Sequence, residues 1–193
     1  MKSNKTRFFV EGRLRSGMEL GLNENVSHKI RSVLRLEKGD EISVFNDSNM
    51  EFKALIQEIK KKSVRILTTE ELTTAVESPL QIELIIAAIK AEKMDYALQK
   101  STELGVTSIS PFFSARSVIK IDEKRREKRL LHWKNIIQSA AEQCGRRTIP
   151  DLHTFCSLNE VNISHKSSQF LVLDPNATKK MSDLVLKTRQ MGL

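Results

Sequence analysis

The stretch KAEKMDYALQKSTELGVTSISPFFSARSVIK, residues 90–120, decides the fold of this chain. In its first half Met94, Ala97, Leu98, Ser101 and Leu104 recur at intervals of three and four, the spacing of one helix face. Gly105 follows, and glycine ends helices because it takes the left-handed cap without a Cβ clash. The pattern predicts a helix over 93–104 with those five residues inward, then a strand over 106–113, then a loop rich in hydroxyls and cations. Upstream, QIELIIAAI (81–89) reads as a buried strand. Downstream, Asp122 is placed to cap a long helix whose apolar stripe runs through Leu130, Trp133, Ile137, Ala140 and Ala141 to a stop at Gly145. Phe170 to Leu173 reads as a third strand ending in Asp174-Pro175, and Ser182 to Met191 as a further helix. Strands alternating with helices call for a largely parallel α/β sheet.

The residues before Ser78 follow another rule. FFV (8–10), EISVF (41–45), FKALIQEI (52–59) and SVRILTT (63–69) alternate apolar and polar with period two, as half-buried strands do. Gly39-Asp40 and Asn46-Asp47 supply turns, and Lys60-Lys61-Lys62 a solvated hairpin turn. A short helix is expected over 26–34, with His28, Ile30, Val33 and Leu34 on one face. These elements predict a small β-barrel. Proline holds its predecessor extended, so Ser78-Pro79 marks the boundary, giving domains 1–76 and 77–193.

Composition narrows the partners. The net charge is +8, which favours a polyanion, and its distribution is more informative than its size. Arg7, Arg13, Arg15, Lys29, Arg31 and Arg35 form one basic cluster, and Arg116, Lys120, Lys124, Arg125, Arg126, Lys128 and Arg129 another. Glu70, Glu71 and Glu77 make a less basic seam between them. Two patches suit a two-handed grip on a nucleic-acid backbone. No apolar run approaches the roughly 20 residues that span a bilayer, and the first residues lack an export signal, so a cytoplasmic protein without membrane contact is expected. Cys144 and Cys156, the only cysteines, read as reduced, buried thiols, and no metal is expected.

Three groups of residues stand where chemistry could occur. Lys90, Glu92 and Lys93 follow the first α/β strand, where ligands of open sheets gather; they are either ligand-facing or ordinary charges opening a helix. Ser114, Arg116, Ser117 and Lys120 follow the next strand, as a phosphate clamp or a solvated loop. Glu142, Gln143, Arg146 and Arg147 surround the helix stop; Glu142 and Arg146, four apart, form an intrahelical ion pair, or the arginines are presented to RNA.

The 90–150 region, with RFFV (7–10), HKIRSVLRLEKGDEISVF (28–45) and KKKSV (60–64), resembles the bacterial 16S ribosomal RNA uridine-N3 methyltransferases over nearly the whole chain. The resemblance implies a PUA-like barrel before a knotted SPOUT α/β domain, S-adenosylmethionine as methyl donor, 16S rRNA or the 30S subunit as substrate, and a homodimer in the full-length form. It implies Lys93, Arg116 and Glu142 as catalytic residues, and Arg7, Arg35, Lys90, Lys120, Arg146 and Arg147 as RNA contacts. Leu173, Asp174 and Pro175 would border the cofactor. The family's GPEGG loop and LR-x-ETA stretch would follow a strand near residue 193, so the SPOUT domain is expected to be incomplete and these residues inactive alone. The other readings are a non-catalytic RNA-binding fragment of such an enzyme and a structural remnant.

Overall fold

The computed structural model describes residues 6–46, 50–72, 77–114, 123–157, 159, 169–178 and 180. The first half is a five-stranded sheet built from β1 (Arg7–Phe9), β2 (Glu19–Gly21), β3 (Glu41–Phe45), β4 (Glu51–Ile59) and β5 (Val64–Glu71), in the order β1-β3-β4-β5-β2. β1 pairs parallel with β3, and the other pairs are antiparallel. Alternation along β3 to β5 puts Ile42, Val44, Phe52, Ile56 and Ile66 on the inner face with Phe8, Val26 and Ile30. Each such side chain contributes about 1.5–3 kcal/mol relative to exposure.

The helix α1 (Glu24–His28) is capped by Asn23, whose side chain accepts from the Val26 N–H at 2.9 Å. It continues as a π turn, Lys29–Val33, in which the Leu34 N–H reaches the Lys29 carbonyl. That wide turn inserts a residue into the helical period, so only Ile30 of the expected apolar face is buried. Val33 and Leu34 are exposed, as is His28, a correction to the 3.6-residue reading. Arg35 closes the turn in the left-handed region at φ 53°, a conformation that costs a non-glycine residue about 1 kcal/mol.

The second half holds β6 (Glu83–Ala87), α2 (Ala91–Glu103), β7 (Ser108–Phe113), α3 (Glu123–Cys144), β8 (Asp151–Leu152) and β9 (Cys156–Ser157). β6, β8 and β9 all pair parallel with β7. Met94, Leu98, Val106, Ile109, Trp133 and Ile137 form its core, where α2 and α3 lie against the sheet. Four expectations are corrected. Leu104 lies beyond the last turn of α2 and is exposed. β6 is half-buried rather than buried, because it is an edge strand. Residues 170–173 lie outside every sheet among the described residues. Cys144 is exposed at the end of α3. Asp122 and the stretch 182–191 lie outside the described residues. No described helix is long and apolar enough to cross a membrane, and no described cluster of His, Cys, Asp or Glu could hold a metal.

Candidate active site

Because β6, β7 and β9 run parallel, their carboxyl ends share one edge of the sheet. The Ala88 N–H donates to the Phe112 carbonyl at 2.8 Å, fixing the start of the segment that leads into α2. Lys90 is the N-cap of α2, and its carbonyl accepts from the Met94 N–H at 3.0 Å. Lys90, Glu92 and Lys93 therefore stand exposed on the first turn, beside the ends of β6 and β7. Phe113 ends β7 stacked on Phe155 at 4.7 Å between centroids, with the Arg126 guanidinium 5.1 Å from its ring. Trp133 backs Phe155 at 5.2 Å, so an aromatic wall carrying a cation borders this edge. Arg116 and Lys120, expected on the loop after β7, lie outside the described residues.

Asp174 and Pro175 open an exposed turn in which the Asp174 side chain accepts from the Asn176 N–H at 2.9 Å and its carbonyl from the Ala177 N–H at 3.0 Å. Leu173 is 86% exposed just before it.

Glu142, Arg146 and Arg147 lie elsewhere. In a parallel sheet the helix between two strands begins at the carboxyl edge and ends at the amino edge, so the last turn of α3 is about a helix length, roughly 30 Å, from its first. There the second half meets the first. Arg7 donates to both Glu51 oxygens at 2.9 Å, and to the carbonyls of Ala141, Glu142 and Arg146 at 3.0–3.2 Å. A guanidinium has five N–H donors, and these five bonds use them all. Two of the accepting carbonyls are among those a helix leaves orphaned at its C-terminus, so Arg7 caps α3 from the other half. Arg146 is equally committed, to Glu77, Thr148 and the carbonyls of Thr102 and Val106. Arg147 reaches the Leu72 carbonyl and stands 3.5 Å from Glu51, while its backbone N–H donates to Glu77 at 2.7 Å. Glu142 accepts from Lys29 at 3.1 Å, from the Phe9 N–H at 3.2 Å and from Gln138 at 2.9 Å.

These contacts bear on the expectations for this end of α3. Half-buried Arg7 and buried Arg147 fasten the two halves together, while the buried Arg146 side chain is held within the second half and only its carbonyl, accepting from Arg7, crosses the junction. Glu142 is held by partners in both halves, at the sheet edge opposite Lys93, and within one chain it cannot handle a proton beside Lys93. The intrahelical pair of Glu142 with Arg146, one of the two readings of this stretch, does not form, because each has a partner outside α3. Sequence reading missed Glu51 and Lys29 as junction residues, since an inward carboxylate on a strand has no periodic signal. Glu77 was visible only as part of the less basic seam. Burial pushes the Glu51 carboxyl up, but Arg7 and Arg147 outweigh it and hold the group below its ordinary value. Burial acts likewise on Glu77, overcome by the Thr148 hydroxyl, the N–H groups of Thr148 and Arg147, and the Arg146 charge.

Comparison with known proteins follows the same two halves. Residues 22–68 match an RNA methyltransferase PUA domain, and residues 76–192 an RNA methyltransferase domain. A ribosomal RNA small subunit methyltransferase E from Buchnera aphidicola is 32% identical over 185 residues, covering 95% of this chain and 75% of that protein. Its Bacillus subtilis counterpart is 31% identical, covering 79% of this chain and 62% of its own length. A putative methyltransferase from Legionella pneumophila, solved with bound S-adenosylmethionine, superposes with a TM-score of 0.89 at 36% identity, covering 94% of this chain and 75% of its own. The small subunit methyltransferase E of Neisseria gonorrhoeae, bound to the same cofactor, gives 0.88 at 32% identity and the same coverages. With a PUA-like unit ahead of a SPOUT-type α/β unit, this chain belongs to the ribosomal RNA small subunit methyltransferase E family.

Proposed function

We propose that this protein transfers a methyl group from S-adenosylmethionine to N3 of a uridine in 16S rRNA, acting on the 30S subunit in the cytoplasm as a homodimer. Family membership carries the reaction class, and the exposed Lys90–Lys93 turn at the carboxyl edge carries the placement of the site. The division into domains 1–76 and 77–193 is supported by the two separate sheets and their separate cores. The exposed apolar residues Tyr96, Leu104 and Leu131 support a partner subunit.

The apolar strip 170–173 and the Asp174 turn fit one wall of a cofactor site, with Leu173, Asp174 and Pro175 as the residues that would touch it. When bound, the cofactor supplies an activated methyl on a sulfonium, which leaves alignment and charge to the protein. Uridine N3 carries a proton on the pairing edge, so the base must be unpaired, and negative charge develops on its oxygens as the proton leaves. Lys93, reaching from the first turn of α2, is the cation we assign to those oxygens, with Arg116 from the following loop. Lys90, Lys120 and the exposed Arg35 contact flanking phosphates. The strained backbone of Arg35, where glycine would sit at less cost, supports a functional reason for an arginine there.

Methylation of N3 blocks base pairing, so reverse transcriptase stops at the modified uridine. Deleting the gene is expected to abolish one such stop in 16S rRNA, and a plasmid copy to restore it; a persistent full set of stops would overturn the assignment. Binding of 16S rRNA should weaken steeply with salt, about 0.7 log units per tenfold salt for each phosphate neutralised, and three contacts predict a slope near −2. Arg35→Ala should lower that slope by about 0.7. A flat salt dependence in filter binding would remove the phosphate contacts.

A further inference from the structure

A cleft of about 360 Å³ separates α1 from the carboxyl-terminal half of α3, next to the junction and away from the sheet edge that carries Lys93. Its polar lining comes from both halves, chiefly Asn25, His28 and Lys29 on one side and Asn135, Gln138 and Ser139 on the other. Asn135, Gln138 and Ser139 are three and four apart, so they stack along one face of α3. The side chains of Asn25, His28 and Asn135 make no hydrogen bond among the described residues, which leaves their hydrogen-bonding capacity unspent. Lys29, the one permanent cation, is already satisfied by Glu142 at 3.1 Å and Ser139 at 3.4 Å. The cleft is therefore rich in amides, poor in free charge, and large enough for a small planar ligand.

We propose that this cleft seats an unpaired nucleobase of the substrate RNA, one remote from the uridine that reacts. An amide offers a donor and an acceptor side by side, both of which the edge of a base can use, whereas a phosphate uses the donor alone. Single-stranded RNA is read in this way, by splayed bases hydrogen-bonded along their edges. The inference rests on the RNA reading above and adds to it a site of base discrimination on the far side of the molecule. The Glu142 bridge from Lys29 to Gln138 fixes the cleft's width.

The test uses the full chain and fluorescein-labelled 12-mers of oligo(U), oligo(A) and oligo(C), with anisotropy as the readout. The wild type should prefer one base. The Asn25→Ala/Asn135→Ala variant should lose about tenfold on the preferred oligomer, become indifferent to base, and keep the wild-type salt slope. Thermal melts should coincide, since neither amide holds a structural bond. Unchanged discrimination in the variant, or a wild type that binds all three alike, overturns the proposal. So does a variant whose salt slope falls while its preference stays, which would mean a phosphate occupies the cleft. A wild type that binds no RNA overturns the RNA reading itself, a result distinguishable from the others.

Discussion

Glu51→Ala is expected to cost about 3–5 kcal/mol of stability, the scale for removing one partner of a buried ion pair. The reason is the charge left behind. Arg7 and Arg147 are each about 10% exposed, and both turn their guanidinium groups to Glu51. Without it, two like charges face each other with water excluded. Urea denaturation should show a lower midpoint. A double-mutant cycle with Arg147→Ala should give a coupling of about 0.5–3 kcal/mol, since the two touch directly. Additive losses would show that the residues act independently and that the junction is not a unit. Acid adds a second readout. Folding lowers the Glu51 and Glu77 carboxyls below 4.5, so their stabilisation is complete above about pH 4.5 and is lost as pH falls through the lower folded values. The Glu51→Ala variant should therefore lose less stability than the wild type over that acid range.

The second large effect is an expected absence of binding. Titrating S-adenosylmethionine into the 193-residue polypeptide should release no heat above dilution. A ligand of this size is held where most of its surface is enclosed. The strip that should border it is open instead, with Val172 72% and Leu173 86% exposed, and the Asp174 carboxylate is turned onto Asn176 within its own turn. The Neisseria gonorrhoeae relative, whose structure contains the cofactor, provides the positive control. Tight binding by the 193 residues would show that the pocket lies away from residues 173–175 and would remove their assignment.

Much of the architecture was legible because it follows local rules. Period-two alternation located β3, β4 and β5 to within a few residues, and three- and four-residue spacing with a glycine stop located α2 and α3. β2, β8 and β9 escaped, since strands of two or three residues are shorter than any period that could mark them. Phe170 to Leu173 has strand composition, yet propensity makes a strand only where a neighbour offers hydrogen bonds. For the site, topology was enough to put Lys90 and Lys93 at the carboxyl edge. It could not separate arginines that meet solvent from those that bridge two halves of the chain. Arg7 and Arg35 look alike as letters, and only the distant carbonyls of α3 tell them apart.

The fastening by Arg7 also orders events in time. Arg7 leaves the ribosome early, but the carbonyl of Arg146 that completes its set lies 139 residues later. At about 5–20 residues per second, that is roughly 7–28 s of synthesis during which the arginine can hold only Glu51 and its own sheet. The amino-terminal sheet must then stand by itself with a half-used guanidinium at its edge. The two halves join only when the end of α3 emerges, so a chain released before that point would keep an unsatisfied cation where the finished protein has its seam.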